Sequence, residues 1–204
     1  MEWCKGRDWE KVLLFHEKME ISHFPKIYET YHFCPSCGSE YTLDNFREVH
    51  MMLHCDHCLF DWFLSSQVAS CGIIPILSDV NRVIVTIRAM DPGKGTLDLP
   101  GGFLKLGEDP LKATEREIFE EIGLATEVLD IISTTMCAYP YKEKEYSVLE
   151  LIYVMKPIPE PTFLVESCEI ANVFILSREE LLERKDEFVF QSQVEAVRRY
   201  LDFL

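Results

Sequence analysis

Two Cys-x-x-Cys pairs near the start of the chain constrain its folding more than any other feature of the sequence. Cys34 and Cys37 form the first pair, Cys55 and Cys58 form the second, and seventeen residues lie between the pairs. This spacing is typical of a four-cysteine zinc ribbon, in which four thiolates hold Zn²⁺ and leave no position open for catalysis. The segment has too few apolar residues to fold by burial alone, so it needs a structural metal. We therefore expect a structural zinc ribbon over residues 33–66.

The rest of the chain divides into two further parts. Residues 1–32 are expected to form a helical extension, because Asp8 can cap a helix that Pro25 ends. Residues 68–204 form the main domain, which opens with two segments rich in β-branched residues, GIIPIL and NRVIVTIRA. Strands precede, separate and follow its helices without strict alternation, so we expect an α/β/α sandwich with a mixed sheet. Residues 138–146, AYPYKEKEY, are expected to form a loop.

Charge and hydropathy exclude several classes of protein. Acidic residues number 35 against 20 Lys and Arg, which gives a formal charge of −15. Arg47 is the only base within residues 33–70, so the ribbon lacks the positive surface that binds nucleic acid. Apolar runs fall short of the roughly 20 residues that span a bilayer, and the first residues lack a signal peptide's apolar stretch. We expect a cytoplasmic protein without nucleic-acid or membrane partners, whose ribbon supports the fold or contacts a second copy in a homodimer.

The densest acidic block of the sequence falls in a helix whose two ends are marked. Asp109 followed by Pro110 is typical of a helix start, and Gly123 is typical of a stop. The apolar residues of this helix, Leu111, Ile118 and Ile122, are expected to form one buried face.

Three carboxylates share another face of this helix. Glu117, Glu120 and Glu121 stand at i, i+3 and i+4, within an arc of about 100°. Like charges at this spacing destabilise a helix by about 0.2–0.5 kcal/mol per pair, and a bound divalent cation would reverse that effect. Arg116 lies too far round the helix to be a ligand, but its guanidinium can hold Glu108 or Glu120. The alternative is a solvated acidic face that binds no metal.

The residues around the helix resemble the signature of the Nudix hydrolases. The pattern reads Gly102-x5-Glu108-x7-Arg116-Glu117-Ile118-x-Glu120-Glu121-x-Gly123-Leu124 over 23 residues. The resemblance implies that the chain hydrolyses a nucleoside diphosphate linked to another moiety, through attack of water on a phosphorus of the pyrophosphate. Such chemistry needs cations that neutralise developing oxygen charge and make water nucleophilic near neutral pH.

Carried onto this sequence, the resemblance implies metal ligands. Glu120 and Glu121 would be the main ligands of Mg²⁺ or Mn²⁺, and Glu117 would be a further ligand or the general base. Gly102 would contribute its backbone carbonyl oxygen. These four positions are the candidate metal site of the main domain.

Further positions follow from the same resemblance. Glu108 and Arg116 would be the structural pair that shapes the loop and the helix. Another carboxylate is expected from the second half of the domain, as a ligand or as the base. Glu166 and Glu169 are the candidates, and we favour Glu169, although spacing does not decide between them.

The sequence leaves alternatives open both for the substrate and for the activity itself. A ribbon before a Nudix domain resembles the architecture of the NADH pyrophosphatases, but residues 133–147 read STTMCAYPYKEKEYS where that group carries a Ser-Gln-Pro-Trp-like motif. Pro140 stands about where ADP-ribose hydrolases of the family have a proline, and Tyr139 and Tyr141 can stack on a base. We expect ADP-ribose, NADH, FAD or a similar diphosphate as substrate. The alternative is a catalytically silent Nudix protein that senses a ligand and uses its ribbon as a contact module.

Overall fold

The structure is a computed structural model that describes residues 31–47, 50–142, 144–158 and 167–203. The helix expected after Asp8 lies outside these residues. Within the described ranges, no helix has the length and apolar character needed to cross a membrane.

The segment with the four cysteines forms a small antiparallel sheet. Its three strands are β1 (Phe46–Arg47), β2 (Met52–His54) and β3 (Asp61–Phe63), in the order β1-β2-β3. Leu53 of the central strand is fully buried, and it packs in one cluster with Cys34, Tyr41 and Cys55. Because this core is so small, burial alone does not stabilise the three-stranded unit, which needs a link between its cysteines to stay folded.

A larger sheet forms the centre of the main domain. Its strands are β4 (Gln67–Ile76), β5 (Asp79–Arg88), β6 (Leu97–Asp98), β7 (Gly101–Phe103), β8 (Thr126–Tyr141), β9 (Lys144–Pro157) and β10 (Ile170–Ser177). The order is β10-β5-β4-β9-β8, with β6 paired to β5 and β7 paired to β4. Strands β4 and β9 run parallel, and the other pairs run antiparallel. The predicted mixed sheet is therefore confirmed.

Within the described residues, three α-helices accompany the larger sheet: α1 (Pro110–Ile122), α2 (Arg178–Glu183) and α3 (Gln191–Asp202). The predicted ends of α1 are confirmed. The Asp109 side chain accepts hydrogen bonds from the N–H groups of the first turn, and Gly123 ends the helix with φ at 69°. Gly123 has no Cβ and adopts this left-handed conformation without strain.

The helices cover both faces of the sheet. On one face, Ile118 and Ile122 of α1 pack in a cluster with Ile74. On the other face, Val197 and Leu201 of α3 pack in a cluster that includes Ile73. Neighbouring residues of a strand point to opposite faces, so β4 contributes to both layers of the expected α/β/α sandwich. The expectation for Leu111 was wrong, because that side chain is exposed.

The expected loop over residues 138–146 was also wrong. Strands β8 and β9 continue as a hairpin through this segment, with Tyr139 paired to Tyr146 and Tyr141 paired to Lys144. Strand β8 lies at the edge of the sheet. An edge strand tolerates a proline where the N–H would face away from the sheet, because no hydrogen bond to a neighbouring strand is then lost. Pro140 therefore lies within the strand.

Candidate active site and metal centre

Residues from α1, α3 and the larger sheet line a cavity of about 370 Å³. Six carboxylic side chains belong to its lining: Asp91, Asp98, Glu117, Glu121, Glu150 and Glu169. Four aromatic side chains also line it: Phe103, Tyr139, Tyr141 and Phe190. The cavity thus combines an acidic surface with an aromatic wall, an arrangement that suits a ligand with both a charged and a planar part.

Glu121 is held against β7, the short strand before α1 that begins at Gly101. Its Oε2 atom accepts a hydrogen bond of 2.9 Å from the backbone N–H of Gly101. Gly101 approaches β4 so closely that a Cβ would lie 2.3 Å from the backbone oxygen of Ser70. Burial raises the pKa of Glu121 to about 8, although the Gly101 N–H opposes that shift. Without a cation, this carboxyl is therefore costly to ionise.

Glu117 lies against Gly102, the second residue of β7. A Cβ on Gly102 would come within 2.7 Å of Cδ of Glu117. Burial raises the pKa of Glu117, while the Arg116 guanidinium, whose Nη1 donates over 2.6 Å, opposes the shift. Because Gly102 has no side chain, the carboxylate can rest directly against the backbone that would supply the carbonyl ligand.

Arg116 joins three glutamates. Its Nε and Nη2 atoms donate to the two carboxylate oxygens of Glu108 over 2.6 and 2.8 Å, and Nη1 also donates to Glu117 and to Glu120. The paired hydrogen bonds lower the pKa of Glu108 to about 2. The guanidinium thus links the loop before α1 to the helix.

The structure brings only some of the candidate metal ligands to the cavity. Glu117, Glu121 and Glu169 line the cavity. Glu120 is 52% exposed at its side chain and pairs instead with Arg116 and Lys105. Glu169 is near the end of β5, where its backbone oxygen accepts a 2.8 Å hydrogen bond from the N–H of Ala89. Glu166, the other candidate from the second half, lies outside the described residues.

The structure adds a buried polar network that the sequence analysis missed. Gln193 of α3 donates through Nε2 to Asp98 over 2.6 Å and to Glu150 over 3.2 Å. Arg88 forms an ion pair with Asp98, and the N–H of Leu99 donates to Oε1 of Gln193. These residues come from four separate elements. The one signal in the sequence is the single acid within the apolar strand SVLELIYVM.

Tyr139 belongs to the aromatic wall. Its ring packs edge-on against Phe103, with 5.2 Å between centroids, and stacks on Phe190 at 5.8 Å. Tyr141, the other tyrosine considered for base stacking, is exposed and lies beneath the Lys142 ammonium. Of the two, Tyr139 is the one fixed by aromatic neighbours.

The four cysteines of the small sheet converge. Their sulfur atoms lie within 4.8 Å of one another, with Cys34 and Cys58 at 3.7 Å and Cys37 and Cys55 at 3.6 Å. Four sulfurs at about 2.3 Å from one Zn²⁺ in a tetrahedron are about 3.8 Å apart, whereas a disulfide requires about 2.05 Å. The group fits a metal ion and does not fit two disulfides. Among the described residues, the carboxylates of α1 do not converge to this degree.

The two cysteine knuckles have the same backbone geometry. The N–H of Gly38 donates to the carbonyl of Cys34, and the N–H of Leu59 donates to that of Cys55, both over 2.8 Å. Gly38 has φ at 76° and Leu59 has φ at 59°. A leucine therefore occupies a left-handed position for which glycine is the favoured residue.

A comparison with protein families agrees with this geometry. The NUDIX domain family matches residues 67–197, which include the residues that line the cavity and the two glycines of β7, Gly101 and Gly102. The chain belongs to the Nudix family. A Nudix hydrolase structure from Nitrosomonas europaea superimposes with a TM-score of 0.67 at 22% identity, covering 83% of this chain and 90% of the other. At this identity the similarity shows a shared fold.

Two named relatives match parts of this Nudix protein. It is 31% identical to an ADP-ribose pyrophosphatase of Methanocaldococcus jannaschii over 96 residues, which are 47% of this chain and 54% of the relative. It is 28% identical to the NAD-capped RNA hydrolase NudC of Haemophilus influenzae over 126 residues, 60% of this chain and 44% of the relative. The chain thus spans about half the length of the curated relatives it matches.

Proposed function

We propose that this Nudix protein hydrolyses the pyrophosphate bond of a nucleoside diphosphate derivative by attack of water on phosphorus. The observation that carries the proposal is the placement of Glu117, Glu121 and Glu169 around one cavity, beside Gly101 and Gly102 of β7. A pyrophosphate needs positive charge to bind next to these carboxylates, and divalent cations are the natural source of it.

The donor set fits Mg²⁺ or Mn²⁺. Hard cations take oxygen ligands, and the side chains of Glu117, Glu120, Glu121 and Glu169 with the carbonyl of Gly102 offer them. When bound, such cations neutralise charge on the phosphate oxygens and lower the pKa of a bound water. Burial and neighbouring carboxylates raise the pKa of Glu117 and Glu121, and the Arg116 guanidinium opposes that shift at Glu117. Bound cations would favour the ionised form of both carboxyls.

The residues of the chain have distinct roles in the proposal. The Gly101 N–H orients the carboxylate of Glu121, and Nη1 of Arg116 holds the carboxylate of Glu117. Glu117 or Glu169 accepts the proton of the attacking water. The Glu108 and Arg116 pair keeps the loop and helix together and does not touch the substrate.

The substrate that we favour is ADP-ribose, NADH or a similar diphosphate. The name of the Methanocaldococcus relative supports a nucleoside diphosphate sugar, and that of the Haemophilus relative supports a substrate with an NAD part. The aromatic wall and the cavity volume of about 370 Å³ suit one nucleoside moiety.

The proposal assigns the four cysteines to structural Zn²⁺. The ribbon would occupy residues 33–66 and the hydrolase domain residues 68–204, after the extension at 1–32. A cytoplasmic location and the pairing of two copies through the ribbon stay predictions of the sequence.

A substrate panel tests the proposal. Zinc-loaded protein is incubated with ADP-ribose, NADH, FAD and nucleotide sugars, with Mg²⁺ or Mn²⁺, and the release of AMP or another mononucleotide is measured. We expect turnover of at least one compound, loss of that turnover in Glu121→Gln, and full turnover in Glu127→Gln, which alters an exposed acid of β8. Binding of these compounds without any turnover would instead support the ligand-sensing alternative.

A further inference from the structure

Arg88 is the only cationic side chain among the described residues that line the cavity. Its Nε donates to the carbonyl of Pro92 over 2.6 Å, and its Nη1 donates to the carboxylate of Asp98. A guanidinium has five N–H groups, so three remain, including both groups on Nη2. Within the described part of the chain, Nη2 has no acceptor, and it does not belong to the fully buried atoms that lack a partner. These N–H groups are therefore open to the space that Arg88 lines.

The guanidinium of Arg88 is held in place from several sides. Asp98, its ionic partner, is 7% exposed and also accepts from Nε2 of Gln193 over 2.6 Å. The ring of Phe190 lies beneath the guanidinium, with its centroid 5.8 Å from Cζ. A fork that is fixed before a ligand arrives loses little conformational freedom on binding.

Tyr139 is a neighbouring acceptor, but it cannot take up all the free donors of Arg88. Burial alone would lower the pKa of Arg88, whereas Asp98 and, to a smaller extent, Tyr139 raise it above its ordinary value. Among the described residues, no hydrogen bond joins Arg88 to the Tyr139 hydroxyl. The two N–H groups of Nη2 diverge, so at least one stays available even if that hydroxyl turns toward Arg88.

Arg88 also lies close to the candidate metal ligands. Asp98 stands three residues before Gly101, whose N–H holds Glu121, and three residues span at most about 11 Å. The carbonyl of Glu169 accepts a 2.8 Å hydrogen bond from the backbone N–H that follows Arg88. One ligand can therefore contact the Arg88 guanidinium and cations held by these glutamates.

We propose that Nη2 of Arg88 binds a phosphate oxygen of the diphosphate and so forms an anion subsite beside the cations. The inference rests on the hydrolysis proposed above. Hydrogen bonds between a guanidinium and a phosphate are charge-assisted, and the planar fork matches the phosphate oxygens. The six carboxylic side chains of the lining offer a phosphate no such contact. Asp98 binds a different nitrogen of Arg88 and keeps the fork in position.

Binding of two diphosphate analogues tests the inference without any turnover. Methylenediphosphonate and α,β-methylene-ADP both carry a CH₂ group in place of the bridging oxygen, so hydrolysis cannot break that link. The first compound has no nucleoside, which separates contact with the phosphates from contact with the base or ribose. Dissociation constants are measured by calorimetry on the full zinc-loaded chain with Mg²⁺.

Substitutions at Arg88 assign the affinity to its free donors. Arg88→Lys keeps a charge for Asp98 but has no second nitrogen, and should weaken the binding of both compounds roughly tenfold. The double variant Arg88→Gln, Asp98→Asn leaves the net charge unchanged and no buried ion unpaired, and should weaken both roughly ten- to a hundredfold. Arg82→Lys alters an exposed arginine of the same strand and should change neither affinity. Near-ultraviolet circular dichroism confirms that each variant is folded, and Arg88→Lys serves if the double variant is not.

Three results would overturn the inference: no binding of methylenediphosphonate to the parent chain, unchanged affinity for it in the folded Arg88 variants, or a loss confined to α,β-methylene-ADP, which would place Arg88 at the nucleoside. Turnover of ADP-ribose and NADH by the parent chain is measured in parallel. Turnover together with one of these results removes the anion subsite and leaves the proposed hydrolysis intact. Binding that depends on Arg88 without turnover removes the hydrolysis and leaves the subsite as part of a diphosphate-binding protein.

Discussion

The backbone N–H of Gly101 donates a 2.9 Å hydrogen bond to Oε2 of Glu121, and this bond joins the start of β7 to the last turn of α1. Gly101 can lie there because it has no side chain to collide with β4. Gly101 thus approaches the backbone of β4 closely and, through its N–H, sets the position of Glu121, a proposed metal ligand. It holds the carboxylate in place before any cation binds.

The first prediction concerns the pH dependence of stability. The pKa of Glu121 is about 8 in the folded chain and near 4.5 when unfolded, so between these values the unfolded chain binds fewer protons. The free energy of unfolding of zinc-loaded, Mg²⁺-free protein should therefore fall as pH rises from 4.5 to 8. Glu121→Gln should be more stable than the parent by at least about 1 kcal/mol at pH 8 and similar to it at pH 4.5. Urea unfolding at both pH values measures this, and an equal difference at both would contradict it.

The second prediction concerns Arg116. Arg116→Ala leaves Glu108 and Glu117 without their partner in a partly buried position, and should clearly lower the free energy of unfolding. Arg198→Ala is the matched control, because it breaks an exposed pair with Glu195 and should change the free energy of unfolding much less. Urea unfolding of both variants measures the difference. Similar losses in the two variants would show that the Arg116 cluster is no stronger than a surface pair.

Local features of this fold were predictable from sequence. Asp109 and Gly123 mark the ends of α1 through contacts with their own neighbours, so no distant residue is needed to find them. Arg116 reaches Glu120 because residues four apart meet on a helix. The convergence of the four cysteines likewise follows from short spacings and the chemistry of the thiol.

Features that depend on long-range packing were not predictable. Gln193 meets Asp98 and Glu150 only because α3 folds back onto the sheet across more than 40 residues of chain. The hairpin through Pro140 was taken for a loop, since nothing local shows that β8 is an edge strand. The exposure of Leu111 also depends on where the sheet ends beneath α1, which periodicity does not reveal.

The third prediction concerns Gly102. Gly102→Ala would place a Cβ within 2.7 Å of Cδ of Glu117, and the carboxylate must move away. We expect the free energy of unfolding to change by less than about 1 kcal/mol, since a flexible side chain can shift, while half-maximal Mg²⁺ activation requires at least about tenfold more Mg²⁺. Gly72→Ala is the contrasting variant, because its Cβ would meet the buried Met155 and should reduce stability by about 1–3 kcal/mol. In that variant, the Mg²⁺ requirement should stay the same. An unchanged Mg²⁺ requirement in Gly102→Ala would argue against Glu117 as a ligand.

The fourth prediction concerns the zinc content. Cys34→Ser removes a buried member of the sulfur cluster and should reduce bound zinc from one ion per chain to well below that value. Cys168→Ser changes an exposed cysteine outside the cluster and should retain the full ion. Elemental analysis after dialysis measures both. A full complement of zinc in Cys34→Ser would refute the four-cysteine site.

The fifth prediction concerns the left-handed residue of the second knuckle. Leu59 is 73% exposed and has φ at 59°, whereas the equivalent position in the first knuckle is Gly38. Left-handed backbone costs a non-glycine residue about 1–2 kcal/mol, and an exposed leucine loses little burial on replacement. Leu59→Gly should therefore stabilise the ribbon by about 0.5–1 kcal/mol after the greater chain entropy of glycine is subtracted, and Gly38→Ala should destabilise it by a similar amount. The rate of zinc loss to a chelator reports on both variants. Slower loss is expected from Leu59→Gly and faster loss from Gly38→Ala, and the same rate in both would mean that backbone strain at this position does not limit the ribbon.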